Sequence, residues 1–254
     1  MSRRKFVDIG LNLRNFSVDI LEKLLSFLKG LGYSGFSTRL IVQCGEDLGK
    51  VLEIRDVLRS VSERVGLEYI SRVDIVSNRK GFIKLCLRSI RRSFELVAIG
   101  TSSLEVARFA ARDRRVDIVY FTSGSRRLLD DVECRMLSEG GKLLELSLSK
   151  LLLDISKYFA TYRYVVEMCS EYGVNIVFTS GASSVHELRA PRELASVLVA
   201  LGLPVERALD AVSDIVWKVV EVNRKKLRGI IVAEGVEVVG KEKEEKVRSS
   251  EGTE

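Results

Sequence analysis

The reactive and ligand-binding residue types of this chain are concentrated in two loops. The first, residues 8–15, reads Asp-Ile-Gly-Leu-Asn-Leu-Arg-Asn. The second, residues 179–192, is rich in Gly and hydroxyl-bearing residues and includes Arg189 and Arg192. Backbone amides of a small, Gly-containing loop can hold a phosphate oxyanion beside such arginines. The second loop is therefore a candidate phosphate site, centred on Ser180–Ser184.

An ordinary helix start explains the same loop equally well, with Ser183 as the N-cap and Pro191 at the first helical position. His186 is the only histidine in the chain. As a general base it would need an orienting acid, and the adjacent Glu187 would usually point elsewhere. A hydrogen-bonded structural role is more typical of a lone histidine. We therefore predict no catalytic residue in this chain.

The residue types in this chain do not favour metal-dependent or covalent catalysis. One histidine excludes sites that need two or more imidazoles from one chain, which include most catalytic zinc centres. A Schiff-base lysine should follow a strand, whereas Lys5 and Lys142 open predicted strands. Asp8, Asp74 and Glu145 could point inward, but nothing in the sequence places two of them together. We predict no metal ligands.

The positive charge of the chain is local. The 254 residues carry 41 Lys and Arg against 35 Asp and Glu, a net charge of +6. Residues 79–115 contain ten basic and three acidic residues, a net +7, so the rest of the chain sums to −1. The basic residues of this segment are Arg79, Lys80, Lys84, Arg88, Arg91, Arg92, Arg108, Arg112, Arg114 and Arg115.

A predicted helix over residues 81–94 concentrates this charge on one face. Lys80, Lys84, Arg88 and Arg91 or Arg92 recur at helical spacing, with apolar residues opposite. Like charges at this spacing repel, and an anionic partner reverses that cost. RNA or DNA is the partner we favour; a solvated Arg-rich face of a thermophilic protein and an anionic membrane are the alternatives. Because no aromatic residues interleave, structured RNA held by phosphate and sugar contacts fits better than stacked single strands.

Strand-like and helix-like segments alternate along the chain. The predicted strands are Lys5–Ile9, Gly35–Val42, Glu68–Ile75, Leu96–Ile99, Asp117–Phe121, Lys142–Ser147 and Asn175–Thr179. The predicted helices are Val18–Lys29, Leu48–Val65, Gly81–Phe94, Ser103–Ala111, Asp131–Ser138, Ser149–Tyr172, Arg192–Leu201 and Val205–Lys225. This alternation predicts an α/β fold of parallel strands and right-handed crossovers, and seven units in a chain of this length match a TIM-barrel-like domain. An open doubly wound sheet is the alternative, although no Gly-x-Gly-x-x-Gly follows the first strand.

One domain over residues 1–239 and a charged, disordered tail over residues 240–254 are expected, and residues 229–239 could add a short strand. The four cysteines are widely separated and form no C-x-x-C pair, which indicates reduced, buried thiols. They are Cys44, Cys86, Cys134 and Cys169. The longest mostly apolar stretch, Leu194–Val205, is too short to span a bilayer, so we expect a soluble, cytoplasmic protein.

Several stretches of the chain resemble a known family. The most specific stretch runs from Phe178-Thr179-Ser180-Gly181-Ala182 to Leu188-Arg189-Ala190-Pro191-Arg192-Glu193-Leu194. Other matching stretches are Phe6-Val7-Asp8-Ile9, Leu13-Arg14-Asn15, Glu145-Leu146-Ser147 and Val222-Asn223-Arg224. Over residues 5–228 the chain resembles the archaeal ribonuclease P protein component 3 family, whose eukaryotic relative is a ribonuclease P/MRP subunit.

The resemblance implies a distorted seven-unit (β/α) barrel related to the PHP phosphoesterases. Those enzymes carry a D-x-H-x-H motif after the first strand and a late S-D-A-H motif. Here the matching positions read Asp8-Ile9-Gly10-Leu11-Asn12 and Ser180-Gly181-Ala182-Ser183. Gly, Asn and Ser cannot replace the imidazole and carboxylate ligands of a multinuclear metal cluster. We therefore expect the barrel without its metal chemistry.

The implied function is that of a protein subunit of ribonuclease P, the endoribonuclease that removes the 5′ leader from precursor tRNA. In the family the RNA subunit holds the catalytic Mg²⁺, and component 3 forms a heterotetramer with component 2, two copies of each, beside other ribonuclease P proteins. We assign RNA contacts to Lys84, Arg88, Arg91, Arg92, Arg189 and Arg192. Weaker candidates are Arg72, Arg126 and Arg14. The alternative function is a barrel enzyme that acts on a small phosphorylated substrate at Ser180–Ser184.

Overall fold

The computed structural model describes residues 4–13, 17–42, 48–123, 129–233 and 236–237. Its strands are β1 (Phe6–Leu11), β2 (Tyr33–Thr38), β3 (Leu40–Ile41), β4 (Glu68–Tyr69), β5 (Arg72–Val76), β6 (Leu96–Thr101), β7 (Ile118–Phe121), β8 (Leu143–Ser147), β9 (Asn175–Thr179), β10 (Ile231–Ala233) and β11 (Val236–Glu237). Its helices are α1 (Val18–Gly30), α2 (Leu48–Val65), α3 (Lys80–Ile90), α4 (Leu104–Arg112), α5 (Asp131–Glu139), α6 (Leu148–Leu153), α7 (Ile155–Tyr172), α8 (Pro191–Ala200), α9 (Val205–Asp210) and α10 (Asp214–Leu227). Strand and helix alternate through β9, as the sequence pattern predicts.

Seven parallel strand positions form the wall of a barrel. Only Arg39 separates β2 from β3, and two residues separate β4 from β5. Because β2 pairs with β4 and β3 with β5, each of these pairs of segments is one interrupted strand. The ladder then continues in chain order through β6, β7, β8 and β9. All seven predicted strands are therefore present, and the single TIM-barrel-like domain is confirmed.

Individual hydrogen bonds outside the regular ladder join the two ends of this wall. The amide of Asn12, just after β1, donates to the carbonyl oxygen of Ala182, just after β9, over 2.8 Å. The amide of Val7 donates to the carbonyl oxygen of Val212 over 2.9 Å. These bonds connect β1 to the β9 side without the regular ladder that joins the other neighbouring strands. The barrel is thus closed but distorted.

Helix α10 covers the amino-terminal end of the barrel. Val216, Trp217 and Val220 pack against the inward-facing side chains near the strand starts, such as Val7 and Leu96. The indole Nε1 of Trp217 donates to the carbonyl oxygen of Lys5 over 2.8 Å. Since this end is filled, the carboxyl ends of the strands remain for binding.

Two predicted helices are each broken in two. The predicted helix Ser149–Tyr172 divides at Asp154, whose carboxylate accepts a hydrogen bond from the amide of Lys157 over 3.1 Å and so begins α7 as an N-cap. The predicted helix Val205–Lys225 divides before Asp214 into α9 and α10. Apolar spacing continues across both breaks, which is why periodicity alone predicted single helices.

The cysteines correct one expectation. Cys134 and Cys169 are free and buried, as predicted, but Cys86 is disulfide-bonded, and Cys44 lies outside the described residues. The prediction of four reduced thiols is wrong for Cys86, because distance along the sequence does not set distance in the fold. Strands β10 and β11 pair in antiparallel orientation, and the predicted tail over residues 240–254 lies outside the described residues. None of the helices in the described ranges is long and apolar enough to cross a membrane.

Candidate functional site

A buried network of charges fills the centre of the barrel. Arg72, on β5, is completely buried and pairs with both carboxylate oxygens of Asp74, at 2.7 and 2.8 Å. Its Nη2 also reaches Glu145 on β8 over 2.7 Å, and its Nη1 donates to the carbonyl oxygen of Ile9 over 2.9 Å. One guanidinium therefore joins two carboxylates that sequence reasoning could not place together. Because no RNA can reach it, the suggestion that Arg72 contacts RNA is wrong.

Glu145 is held ionised by a second arginine. Its Oε1 accepts hydrogen bonds from Nη2 of Arg39 over 2.6 Å and from the hydroxyl of Thr179 over 3.0 Å. Burial alone would raise the pKa of Glu145, but the charges and hydrogen bonds of Arg39 and Arg72 lower it to about 2. Both carboxylates of this network are thus neutralised by guanidinium groups.

The positions that match the metal-binding motifs of the PHP phosphoesterases are engaged in the protein's own contacts. The carboxylate of Asp8 accepts hydrogen bonds from the amides of Gly10 and Ser180. A Cβ at Gly10 would lie 2.3 Å from the hydroxyl of Thr179, so no side chain fits there without movement. Within the described ranges, no three His, Cys, Asp or Glu residues are grouped so that they could hold a metal ion.

Backbone amides of the hydroxyl-rich loop donate hydrogen bonds to acceptors within the same loop. The amide of Ala182 donates to the hydroxyl of Ser180 over 3.0 Å, and the amide of Ser183 donates to the carboxylate of Glu187 over 2.7 Å. A phosphate would therefore compete with internal acceptors and would meet a carboxylate.

The helix start lies later than Ser183. Ala190 precedes α8, Pro191 opens it, and Glu193 accepts a hydrogen bond from the amide of Ala190 over 2.9 Å. Pro191 is placed as predicted, whereas Ser183 as the N-cap is wrong. His186 lies exposed on the 3-10 turn over Val185–Glu187.

Helices α3 and α4 carry the basic segment on the outside of the barrel. On α3 the residues Ile83, Cys86, Leu87 and Ile90 are buried, which confirms the predicted apolar face. The charged residues of α3 lie on the opposite, solvent-facing side. We define the basic face as six cationic residues of α3, α4 and the turn after α3, of which Lys80 and Arg108 are half-buried and the other four are exposed. Its members are Lys80, Lys84, Arg88, Arg92, Arg108 and Arg112.

An aromatic side chain from α4 lies among the lysines of α3. Nζ of Lys80 and Nζ of Lys84 are 5.7 and 5.6 Å from the centroid of the Phe109 ring. A groove beside them is lined by Lys80, Phe109, Arg108 and Arg112, among others. The expectation that no aromatic residue mixes with these charges is wrong, because Phe82 lies between Lys80 and Lys84 in the sequence of α3 and Phe109 approaches both lysines in the fold.

The basic residues differ in how far they are already neutralised. Arg108 pairs with Asp130 over 2.7 Å, and Lys80 lies 3.8 Å from Glu105. By contrast, four members of the basic face form no ion pair with a described residue. These members are Lys84, Arg88, Arg92 and Arg112. Their charge is therefore available to an external anion.

The remaining predicted contacts have different surroundings. Arg91 has a side chain only 17% exposed, and its Nη1 pairs with the buried Asp117 over 3.1 Å. That placement gives Arg91 a part in joining α3 to the barrel. Arg189 and Arg192 are exposed, but they follow the seventh strand position, whereas α3 follows the third. The structure therefore does not bring them into the basic face.

Sequence reasoning did not single out Arg112 and Phe109 as site residues. The net charge of residues 79–115 was the available signal for Arg112, and only the packing of α4 against α3 reveals Phe109. Two weaker candidates, Arg14 and Arg126, lie outside the described residues.

Known proteins share both the sequence pattern and the fold. Ribonuclease P protein component 3 of Methanosarcina mazei is 25% identical over 244 residues, which cover 94% of this chain and 98% of that protein. The ribonuclease P/MRP protein subunit RPP1 of Saccharomyces cerevisiae is 29% identical over 213 residues, covering 78% and 71%. These relatives match the resemblance noted in the sequence.

Solved structures agree in fold. A chain of an archaeal ribonuclease P with mature tRNA superposes with a TM-score of 0.76 at 20% identity, covering 94% of this chain and all of that one. Histidinol phosphate phosphatase from Lactococcus lactis superposes with a TM-score of 0.52 at 13% identity, covering 79% and 95%. The model of the family described as RNase P subunit p30 matches residues 5–228. The chain therefore belongs to the RNase P subunit p30 family.

Proposed function

We propose that this chain is a protein subunit of ribonuclease P that binds and supports the RNA of the enzyme, and that the RNA performs the cleavage of precursor tRNA. Family membership supports the assignment to ribonuclease P. The observation that carries the RNA contact is the basic face, where Lys84, Arg88, Arg92 and Arg112 have no carboxylate partner among the described residues.

Physical chemistry favours a phosphate backbone as the partner of the basic face. Cations one helical turn apart repel one another in the free protein, and each phosphate that they neutralise releases condensed counterions. The ring of Phe109 is half-buried and already contacts two lysine ammonium groups. Structured RNA held through its backbone therefore fits this surface better than a single strand stacked on aromatic rings.

The barrel interior supports the assignment of catalysis to the RNA. Arg72 and Arg39 neutralise Asp74 and Glu145, so these carboxylates are not available as acid, base or metal ligand. In the hydroxyl-rich loop after β9, the amides of Ala182 and Ser183 donate to internal acceptors. Mg²⁺ held by the RNA subunit is the corresponding expectation for the cofactor.

A reconstituted ribonuclease P tests this proposal. The triple variant Lys84→Ala, Arg88→Ala, Arg92→Ala should weaken RNA binding and lower the slope of log K against log salt by about 0.9 for each phosphate that is no longer neutralised. A matched control removes three exposed basic residues from other helices, by Lys23→Ala, Arg163→Ala and Lys218→Ala. Unchanged RNA affinity and unchanged precursor cleavage at limiting Mg²⁺ in the first variant would contradict the proposal.

Component 2 is the proposed protein partner, with two copies of each chain in the complex. Family membership supports this partner. The mass of a mixture of the two purified proteins, measured by light scattering, should equal two plus two chains. A mixture that elutes as two separate proteins would contradict it.

A further inference from the structure

A second group of cations lies at the carboxyl ends of the strands, away from the basic face. Lys150 belongs to α6, directly after β8, and Lys157 to the first turn of α7. Their Nζ atoms are 5.4 and 5.5 Å from the centroid of one shared ring, that of Tyr158. Nζ of Lys150 also donates to the carbonyl oxygen of Phe121 at the end of β7. Two ammonium groups thus lie close to one aromatic ring.

Arg39 adds a guanidinium to this end of the barrel. It lies between β2 and β3, its side chain is 19% exposed, and its Cζ is 5.0 Å from the centroid of the Tyr120 ring. One of its nitrogens binds Glu145, but its Nε is buried and has no hydrogen-bond partner among the described residues. Buried donors normally have an acceptor, so this one is unusual.

The charges around Lys150 are uncompensated. Burial and the positive charges of Arg39 and Lys157 lower the pKa of Lys150 to about 8. In the described part of the chain, neither lysine has a carboxylate within 4 Å of its ammonium group. Glu145, the carboxylate that binds Arg39, is shared with Arg72 and Thr179. Because Arg39 and Arg72 balance Glu145 and Asp74, the excess positive charge at this end comes from the half-buried Lys150 and the exposed Lys157.

We propose that Lys150, Lys157 and Arg39 form a binding site for a phosphate group at the carboxyl end of the barrel. A tetrahedral oxyanion offers several acceptors to ammonium and guanidinium donors, and it would relieve the repulsion of Lys150 by Arg39 and Lys157. The lysines of this site lie on α6 and α7 and not on the Ser180–Ser184 loop, where the amides of Ser180, Ala182 and Ser183 already donate to internal acceptors. It also lies on elements other than α3 and α4, so it does not depend on the basic face.

The phosphate could belong to a small molecule or to the backbone of an RNA. The full-length chain is titrated with inorganic phosphate at constant ionic strength, because salt screens exposed charges. Thermal unfolding and the pKa of Lys150, measured by NMR of its ammonium group, are the two readouts. Phosphate should raise both in the native sequence. Lys157→Gln should weaken phosphate binding about tenfold, the loss expected for one charge-assisted hydrogen bond.

Matched variants keep the test decisive. Lys23→Gln, an exposed lysine of α1, should leave phosphate binding unchanged. The double variant Arg88→Ala, Arg92→Ala should also leave it unchanged, which separates this site from the proposed function. Since Lys150 is half-buried, Lys157→Gln remains informative if Lys150→Gln does not fold.

A second titration identifies the source of the phosphate. It uses an RNA hairpin without terminal phosphates and the same readouts on Lys150. A response to inorganic phosphate alone assigns the site to a small phosphorylated molecule, and a response to the hairpin assigns it to an RNA phosphodiester. If neither changes the pKa of Lys150, or if Lys157→Gln binds phosphate as tightly as the native chain, the inference is wrong.

Discussion

Replacing Glu145 by Gln removes one negative charge from the interior of the barrel and almost preserves the shape of the side chain. In the native protein this carboxylate accepts hydrogen bonds from Arg39, Arg72 and Thr179, all within 3.0 Å. In the variant, Asp74 is the one carboxylate of this network that remains to balance the guanidinium groups of Arg39 and Arg72. Removing one partner of a buried ion pair typically lowers stability by about 3–5 kcal/mol.

The pKa of Glu145 gives a second estimate of how much this carboxylate stabilises the folded protein. Its lowering from 4.5 to about 2, at 1.36 kcal/mol per pH unit, corresponds to about 3 kcal/mol of stability at neutral pH. Because the folded-state pKa is the lower one, this stability is present above pH 4.5. It is lost as the pH falls toward 2. Glu145→Gln should therefore differ most from the native protein near pH 7 and least near pH 2.

Urea unfolding at a series of pH values measures this difference. The fluorescence of Trp217, the only tryptophan and mostly buried under the barrel, reports on the folded state. Glu63→Gln, an exposed carboxylate on α2, serves as the matched control and should change the free energy of unfolding by less than about 0.5 kcal/mol. The double variant Glu145→Gln, Arg39→Gln should recover part of the loss, because one unpaired charge is removed with its partner.

Two outcomes would refute this reasoning. The first is a Glu145→Gln protein as stable as the native one at pH 7, which would mean that the buried network contributes nothing. The second is a difference that stays constant from pH 7 to pH 2, which would mean that ionisation of Glu145 is not its cause.

Burial raises the pKa of Glu133 to about 7, and neither of its carboxylate oxygens has a hydrogen-bond partner in the described ranges. Because the pKa of Glu133 is higher in the folded state than in the unfolded state, the protein loses stability as the pH rises from 4.5 through 7. Glu133→Leu should therefore raise the free energy of unfolding by about 3 kcal/mol at pH 8 and change it little at pH 4, as measured by urea unfolding. Gly10→Ala should lower the free energy of unfolding by about 1–3 kcal/mol, because a Cβ at this position would lie 2.3 Å from the hydroxyl of Thr179. Gly81→Ala, in the open first turn of α3, serves as the control and should not destabilise the protein. Equal melting temperatures for the two variants would contradict this prediction. Asn223→Ala removes a buried amide that donates to two oxygens at 2.8 and 2.9 Å, and a loss of about 1–3 kcal/mol is expected by thermal unfolding.

The basic face also shows where local charge patterns mislead. Arg91 and Arg92 are adjacent and equally cationic in the sequence, yet Arg92 is exposed while Arg91 binds the buried Asp117. Helical spacing permits either residue to continue the charged stripe of Lys84 and Arg88. Which of them faces solvent depends on the carboxylate that β7 brings beneath α3, and that position is set by the closure of the barrel.

The strands, most of the helices and the localisation of charge could be predicted from the residue order alone. The seven predicted apolar runs correspond to seven strand positions, and α2 has the predicted bounds Leu48–Val65. These predictions succeed because the spacing of apolar residues is set locally, by which side of each strand or helix is buried. The breaks at Asp154 and before Asp214 were missed, since apolar spacing continues across them.

The roles of the polar residues, by contrast, depend on how the elements pack. Arg72 and Glu145 are 73 positions apart, and no spacing rule joins them, yet the barrel places them 2.7 Å from each other. Phe109 reaches the lysines of α3, and Lys150 and Lys157 share one tyrosine ring, for the same reason. Contacts between elements follow from the packing of strands and helices, which the order of residues does not encode locally. The sequence could therefore predict a barrel with a localised positive charge, while the fold shows which cations remain available to bind.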